Sequence, residues 1–124
     1  MDELIARLTS SAGIDAATAK KAVGMILAFL QREAPASSLE PFMNAVPGGR
    51  EAAAEAASNN GGLMGAMMGG MGVMGLGTQL MGAGLSMDQI KSVSRTLFEF
   101  GREKAGEDAM GEVVAAVPGL SQFV

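Results

Sequence analysis

The sequence predicts an all-α fold in which two pseudo-symmetric helical repeats pack into one bundle-like domain. An offset of 71 residues aligns positions 12–48 with positions 83–119 without a gap, and it gives nine identities in 37 positions. Average composition would give about two or three, so we interpret the match as an internal repeat. Apolar residues also recur every three or four positions along two long segments, which is typical of helices with one buried face.

The first repeat begins with two helices that are separated by a short turn. Asp2 can cap a helix that runs to about Ser11, and Gly13 suits the left-handed residue that closes this helix. Asp15 then caps a long helix. We expect this helix to end before Pro35, because proline disfavours helical geometry in the residue ahead of it.

The second repeat shows equivalent signals. Ser86 and Gln89 form a capping-box pattern ahead of a long helix that is predicted to end near Gly106. In both repeats a short third helix follows, over residues 38–46 and 108–117, and each stops at a Val-Pro-Gly triplet. The first helix of the second repeat would have to come from the middle of the chain.

Each long helix is predicted to bury one face. The opposite faces carry mostly charged residues, among them Lys20 and Lys91, which occupy equivalent positions and which we interpret as solvent-facing. The predicted buried positions are Ala19, Ala22, Val23, Ile26, Leu27, Phe29 and Leu30 in the first helix, and Ile90, Val93, Leu97, Phe98 and Phe100 in the second.

The buried faces of the two long helices complement each other in size. The small Ala19 and Ala22 of the first correspond to the larger Ile90 and Val93 of the second. A unit of about forty residues is too small to be stable alone, so we expect the repeats to pack on each other. We predict a single domain over residues 1–124, made of repeat one (2–48), a Gly/Met-rich connector (49–79) and repeat two (80–120).

The connector has two parts of different character. Residues 50–58 are rich in alanine and predict a local helix. No charged residue occurs from Ala56 to Met87, and residues 61–84 contain ten glycines and six methionines. An isolated helix is disfavoured in this stretch, because each interior glycine costs about 0.5–1 kcal/mol relative to alanine.

Four interpretations of this stretch remain open. It can be a linker whose methionines fill irregular gaps in the core, or a groove in which adaptable methionines bind a partner helix. It can associate with a membrane through residues 61–85, although few of these residues are strongly apolar and no aromatic or clustered basic anchors flank them. Thioethers also select Cu(I), which makes a candidate soft-metal site of Met64, Met67, Met68 and Met71.

Composition excludes several classes of function. The chain has no Cys, His, Trp or Tyr, so it lacks thiolate and imidazole metal ligands and the usual general base. Nine basic residues are scattered among thirteen acidic ones, which leaves no basic stripe for nucleic acid. The glycines are not followed by the Lys and Ser or Thr of a phosphate-binding loop. We therefore predict no enzymatic activity, no cofactor and no nucleic-acid partner.

The two Ala-Val-Pro-Gly endings, at 45–48 and 116–119, and the Gly-rich stretch ahead of Gly84-Leu85 resemble a known pattern. The pattern that they resemble is found in small bacterial tandem-helical-repeat proteins of unknown function, the VcgC/VcgE type. The resemblance covers most of residues 8–119, and the methionine density of the middle departs from it. It implies a fold and no activity, so it assigns no site residue.

These observations predict a non-enzymatic helical protein that self-associates, as a homo-oligomer, or binds a protein partner through its Met-rich connector. The alternative is a protein that associates with a membrane through residues 61–85. The acidic start of the chain lacks the basic and apolar run of a secretory signal, so we expect a cytoplasmic protein. The candidate interaction residues are Met64, Met67, Met68, Met71 and Met74.

Overall fold

The computed structural model describes residues 2–46, 48–59 and 73–117, and all regular structure in these ranges is α-helical. This confirms the prediction of an all-α fold. The helices are α1 (Asp2–Ala12), α2 (Ala16–Glu33), α3 (Ala36–Ala45), α4 (Gly49–Asn59), α5 (Val73–Gly82), α6 (Met87–Ala105) and α7 (Glu107–Ala116).

The two long helices, α2 and α6, begin and end where the sequence predicts. A backbone N–H in the first turn of α2 donates to the Asp15 carboxylate at 2.7 Å. Ser86 and Gln89 form the reciprocal capping box of α6, with N–H to side-chain oxygen distances of 2.9 and 3.2 Å. Gly13 and Gly106, with φ of 69° and 98°, lie in the left-handed region and close α1 and α6.

Some boundaries differ from the prediction by one or two residues. Asp2 lies inside α1, in the first turn, where the positive end of the helix dipole favours an acid. α3 and α7 start at Ala36 and Glu107 and end one residue earlier than predicted. Pro35 directly precedes α3, and Gly106 directly precedes α7. The residues that end the long helices therefore also start the short ones, and no separate turn is needed.

The long helices form the centre of the fold and contact each other. α4 packs along α2, α1 packs along α6, and α3 packs against α6 and α7, while α5 contacts both long helices. Phe42 of α3 and Phe98 of α6 have ring centroids 5.7 Å apart. The buried core contains at least one residue from each of the seven helices, so it is continuous across them.

The predicted buried faces are confirmed at every position. All the apolar residues assigned to the core faces of α2 and α6 are buried, while Lys20 and Lys91 are exposed. Gly24, Ser94 and Gly101 are also buried on these helices and were not predicted. Apolar periodicity misses them because glycine and serine do not count as apolar positions.

The range 49–79, which the sequence assigns to the connector, contains α4 and most of α5. Ala52 and Ala53 of α4 are 3% and 1% exposed, and Leu76 of α5 is 6% exposed. Both helices therefore contribute to the core. Residues 60–72 of the connector lie outside the described residues.

Candidate binding groove

The methionines that the sequence predicts as interaction residues fall mostly outside the described ranges. Met64, Met67, Met68 and Met71 lie between α4 and α5, and Met74 lies in the first turn of α5, where its side chain is not described. The structure describes a groove that is formed by the helices on either side of this stretch in the sequence, α4 and α5, together with α2.

The groove opens between α2, α4 and α5 and has a volume of about 550 Å³. α2 contributes Ala17 and Met25, α4 contributes Ala52 and Ala56, and α5 contributes its last residue, Gly82. Most of these side chains are small. A bound molecule would therefore lie close to the helix backbones.

One wall of the groove is close to α2 because Gly24 has no side chain. A Cβ atom at this position would meet the carbonyl oxygen of Ala52, and it would lie 3.0 Å from the Ala52 carbonyl carbon and 3.3 Å from Cβ of Ala56. The backbone of α4 cannot yield as a flexible side chain can. Glycine at position 24 therefore sets how closely α4 approaches α2.

The other wall leaves space because α5 ends in glycine. In the contact between α1 and α6, by comparison, the hydroxyl oxygens of Ser11 and Thr96 are 3.0 Å apart. The 71-residue offset aligns Ser11 with Gly82 and Thr96 with Met25. A glycine and a thioether cannot make this hydroxyl bridge, so the α2–α5 contact keeps a gap that the α1–α6 contact fills.

Three charged residues lie along the groove: Lys20 and Lys21 of α2, and Glu55 of α4. The Lys20 ammonium is 3.9 Å from the Glu55 carboxylate, and their side chains are 57% and 65% exposed. An ion pair with this geometry and exposure contributes little to stability. The groove thus carries a net charge of about +1 in a chain whose formal charge is −4.

The two groups whose pKa values are clearly displaced, Asp15 and Arg7, lie at a helix end and at a contact between helices. Hydrogen bonds from the side chain and backbone of Thr18 lower the pKa of Asp15. A hydrogen bond to Glu103 raises the pKa of Arg7, which ties α1 to α6. Neither Asp15 nor Arg7 lines the groove. The part of the chain that the structure describes also holds no cluster of three or more acidic, His or Cys residues suited to a metal ion.

The described part of the 61–85 stretch places its leucines inside the protein. Leu76, Leu80 and Leu85 are at most 6% exposed, whereas Met81 is 53% exposed. Among the residues that the structure describes, no helix has both the length and the apolar character needed to cross a membrane.

The sequence pattern does not predict the groove. Ala17 and Met25 fall outside the buried face that the apolar periodicity assigns to α2, and Gly82 belongs to a stretch with many glycines. The signal lies in the position-by-position comparison of the two segments that the 71-residue offset aligns. Only that comparison shows that Gly82, which has no side chain, aligns with Ser11, which has one.

No protein family, curated protein or solved structure matches this chain. Its functional interpretation therefore depends on the described geometry and on the composition of the sequence. Two features support it: the groove, and the methionine-rich segment between α4 and α5.

Proposed function

We propose that the protein is a non-enzymatic helical module that associates with itself or with a protein partner through its methionine-rich segment. Thioether side chains are flexible and polarisable, so they adapt to irregular apolar surfaces and are common at adaptable binding sites. The contact residues of this proposal are Met64, Met67, Met68, Met71 and Met74.

The observation that supports this proposal best is the anchoring of the two helices that flank the segment. α4, which ends at Asn59, and α5, which begins at Val73, both pack against α2. Each also contributes a buried residue to the core, Ala53 at 1% exposure and Leu76 at 6%. The segment therefore starts and ends on helices that are packed into the core.

We also propose that the fold derives from a tandem repeat. α2 and α3 begin at residues 16 and 36, and α6 and α7 begin at residues 87 and 107. Each pair differs by 71, which is the offset of the sequence alignment. This agreement supports an internal duplication.

Sedimentation velocity over a wide range of protein concentrations tests the self-association. We expect the wild-type chain to form a dimer or larger oligomer as its concentration rises. A variant with Met64, Met67, Met68 and Met71 all replaced by Gln is expected to stay monomeric. The matched control replaces Met81 and Met87, which are 53% and 48% exposed and lie outside that segment, and it should associate like the wild type.

Two results would contradict this proposal. A wild-type chain that is monomeric at every concentration would remove self-association. A quadruple variant that associates as strongly as the wild type would remove the methionines as its contacts. Circular dichroism shows whether each variant keeps the helical fold, so loss of association is separable from loss of structure.

Membrane association through residues 61–85 is the alternative function. The exposed Met81 favours it within the described part of that stretch, although the neighbouring leucines are buried. Flotation with zwitterionic and anionic vesicles distinguishes the two functions. A chain that floats with vesicles, and that no longer floats when its four segment methionines are replaced, would make the membrane the partner.

A further inference from the structure

We propose that the groove between α2, α4 and α5 binds a single-chain amphiphile with an anionic head, such as a medium-chain carboxylate. The alkyl chain lies against the small apolar residues of the groove, and the head meets the two lysines of α2. This site differs from the methionine contact proposed above and does not depend on it.

The size and lining of the groove suit an alkyl chain. Small-molecule sites usually have volumes of about 300–1,000 Å³ and a mostly apolar lining with a few polar groups. The groove has about 550 Å³, and Ala52, Ala56 and Ala83 contribute methyl groups to it. The half-buried thioether of Met25 can adjust to the shape of a chain. Each methylene group that leaves water adds favourable transfer free energy.

The charges of the groove select the head group. Lys20 and Lys21 are both exposed and both line the groove, so an anionic head finds two ammonium groups there. Glu55 competes for Lys20, but the two groups are 3.9 Å apart and more than half exposed. Such a pair is weak, and a ligand carboxylate can replace Glu55 at small cost. This local positive charge lies on a chain that is acidic as a whole.

Among the described residues, the second half of the chain does not repeat the small, apolar lining that α2 and α5 give the groove. The positions that the 71-residue offset aligns with Ala17 and Met25 are Asp88 and Thr96. Thr96 is hydrogen-bonded to Ser11, the residue aligned with Gly82, so polar side chains occupy the place of the groove. We therefore expect one ligand per chain. The lysine equivalent to Lys20, Lys91, does not line the groove and provides an internal control.

The probe is dodecanoate, titrated into the full chain below its critical micelle concentration. Binding is followed by calorimetry and by NMR of methionine methyl groups labelled with ¹³C. The Met25 signal is expected to shift, while Met110, which is fully buried in the core, should not. Dodecanol has the same chain without the charge, and we expect it to bind roughly threefold to tenfold more weakly.

Filling the groove should prevent binding without unfolding the protein. A Cβ atom at Gly82 would meet no atom within 4 Å, and Gly82 lines the groove, so we expect Gly82→Leu to fold and to occupy part of the ligand's space. We expect dodecanoate affinity to fall by at least about tenfold, because the added side chain clashes with the ligand. Gly111→Leu is the matched control: it is a helical glycine of α7 with equally open surroundings and lies outside the groove, and it should bind like the wild type.

The lysines are tested by removing their charges. Replacing Lys20 and Lys21 together by Gln should weaken dodecanoate binding by roughly threefold to tenfold, in line with two exposed charge contacts. Lys91→Gln should leave the affinity unchanged. Circular dichroism and thermal midpoints of all variants show whether a lost affinity reflects a lost fold.

Several outcomes would overturn the proposal. One is a titration in which the Met25 signal does not move, or in which only methionines of residues 60–72 respond. Another is equal affinity for dodecanol and dodecanoate, which would rule out the anionic head. Unchanged binding by folded Gly82→Leu would place the ligand outside the groove. Association that depends on the segment methionines without dodecanoate binding would leave the proposed function intact and refute this site alone.

Discussion

The two long helices are covered in opposite ways. α4 lies against α2 through glycine and alanine, whereas α1 lies against α6 through buried leucines and a rim of charged side chains. The 71-residue offset aligns α1 with α5 and not with α4, so the contrast is between two ways of covering a long helix. One contact depends on close backbone approach and the other on large side chains, so different substitutions should disrupt them.

The α2–α4 contact has no room for added atoms. Gly24 faces the backbone of α4 at Ala52, and no adjustment of a side chain can make space there. The position aligned with Gly24 in the second half is Arg95, which is exposed. A helix in the place of α4 could not approach α6 as closely, because an arginine stands where the glycine would be needed.

The α1–α6 contact combines apolar burial with charge pairing. Arg7 donates to Glu103 at 2.7 Å and to Glu3 at 3.0 Å, and Lys104 is 3.8 Å from Glu3. The guanidinium of Arg7 also lies 5.4 Å from the centre of the Phe100 ring. These charged side chains are between 36% and 56% exposed, so they orient α1 more than they stabilise it.

Leu8→Ala is expected to have the largest effect of the substitutions that separate the two contacts. Leu8 is fully buried, and truncation of a buried leucine lowers the free energy of unfolding by about 2–5 kcal/mol. Truncation in α4, by Ala53→Gly, removes one methyl group and should cost only about 1 kcal/mol. Urea denaturation followed by circular dichroism measures both. Ser10→Ala, at an exposed position of α1, is the control and should change stability by less than about 0.5 kcal/mol.

Gly24→Ala is expected to have the next largest effect. It adds side-chain volume to a close contact, whereas Leu8→Ala removes volume from the core. Alanine favours a helix over glycine by about 0.5–1 kcal/mol, but here the added methyl group meets the Ala52 backbone. We expect a net loss of about 1–3 kcal/mol in the free energy of unfolding, as for an overpacked core.

Two other glycines give matched controls for this prediction. Gly77→Ala, where a Cβ atom meets nothing within 4 Å, should gain the helical preference of about 0.5–1 kcal/mol. Gly101→Ala should cost less than Gly24→Ala, because the closest atoms, 2.7 and 2.8 Å away, form the flexible end of Met110. If Gly24→Ala were as stable as the wild type, α4 would be free to move away from α2 and the contrast would fail.

The features that the sequence predicts correctly are local ones. The caps at Asp15 and Ser86, the closing glycines at 13 and 106 and the buried faces of the long helices follow from neighbours a few residues away. Each rests on one turn of backbone geometry or on the helical repeat. Such signals do not depend on which helix packs where.

The features that the sequence misses are tertiary. Gly24 looks like an unfavourable helix residue until the backbone of Ala52 is placed beside it. The groove likewise brings together Gly82 and Met25, which lie on different helices, and helical periodicity within one segment cannot show this. The predicted interaction residues Met64, Met67, Met68 and Met71 lie outside the described residues, so their role stays a prediction.

Removing one charge at the α1–α6 rim should have a small effect that depends on salt. Glu103→Gln weakens the interaction with Arg7 and leaves the buried leucines in place. We expect a slight loss of stability at low ionic strength that shrinks in about 1 M NaCl, because salt screens exposed charges. Denaturation curves at the two salt concentrations measure it. The α2–α4 contact depends on close packing, so the effect of Gly24→Ala should not change with salt.

The smallest expected effect is the pH dependence that the cap of α2 adds to stability, since the caps of the two long helices differ in whether they titrate. α2 is capped by the carboxylate of Asp15 and α6 by the hydroxyl of Ser86. Hydrogen bonds from Thr18 lower the pKa of Asp15 below its ordinary value of 3.8. A carboxyl group with a lowered pKa in the folded state stabilises the fold above pH 3.8, and this contribution is lost as the pH falls through the folded-state pKa.

Asp15→Asn keeps a capping side chain and removes its titration. We therefore expect the free energy of unfolding of this variant to fall less steeply than that of the wild type from about pH 5 to about pH 2, with near equality at neutral pH. Ser86→Ala should instead lower stability by about 1 kcal/mol at every pH, because a hydroxyl cap does not titrate in this range. Urea denaturation at a series of pH values measures all three proteins. Parallel curves for the wild type and Asp15→Asn would show that the cap of α2 does not depend on its charge, and the two long helices would then start in the same way.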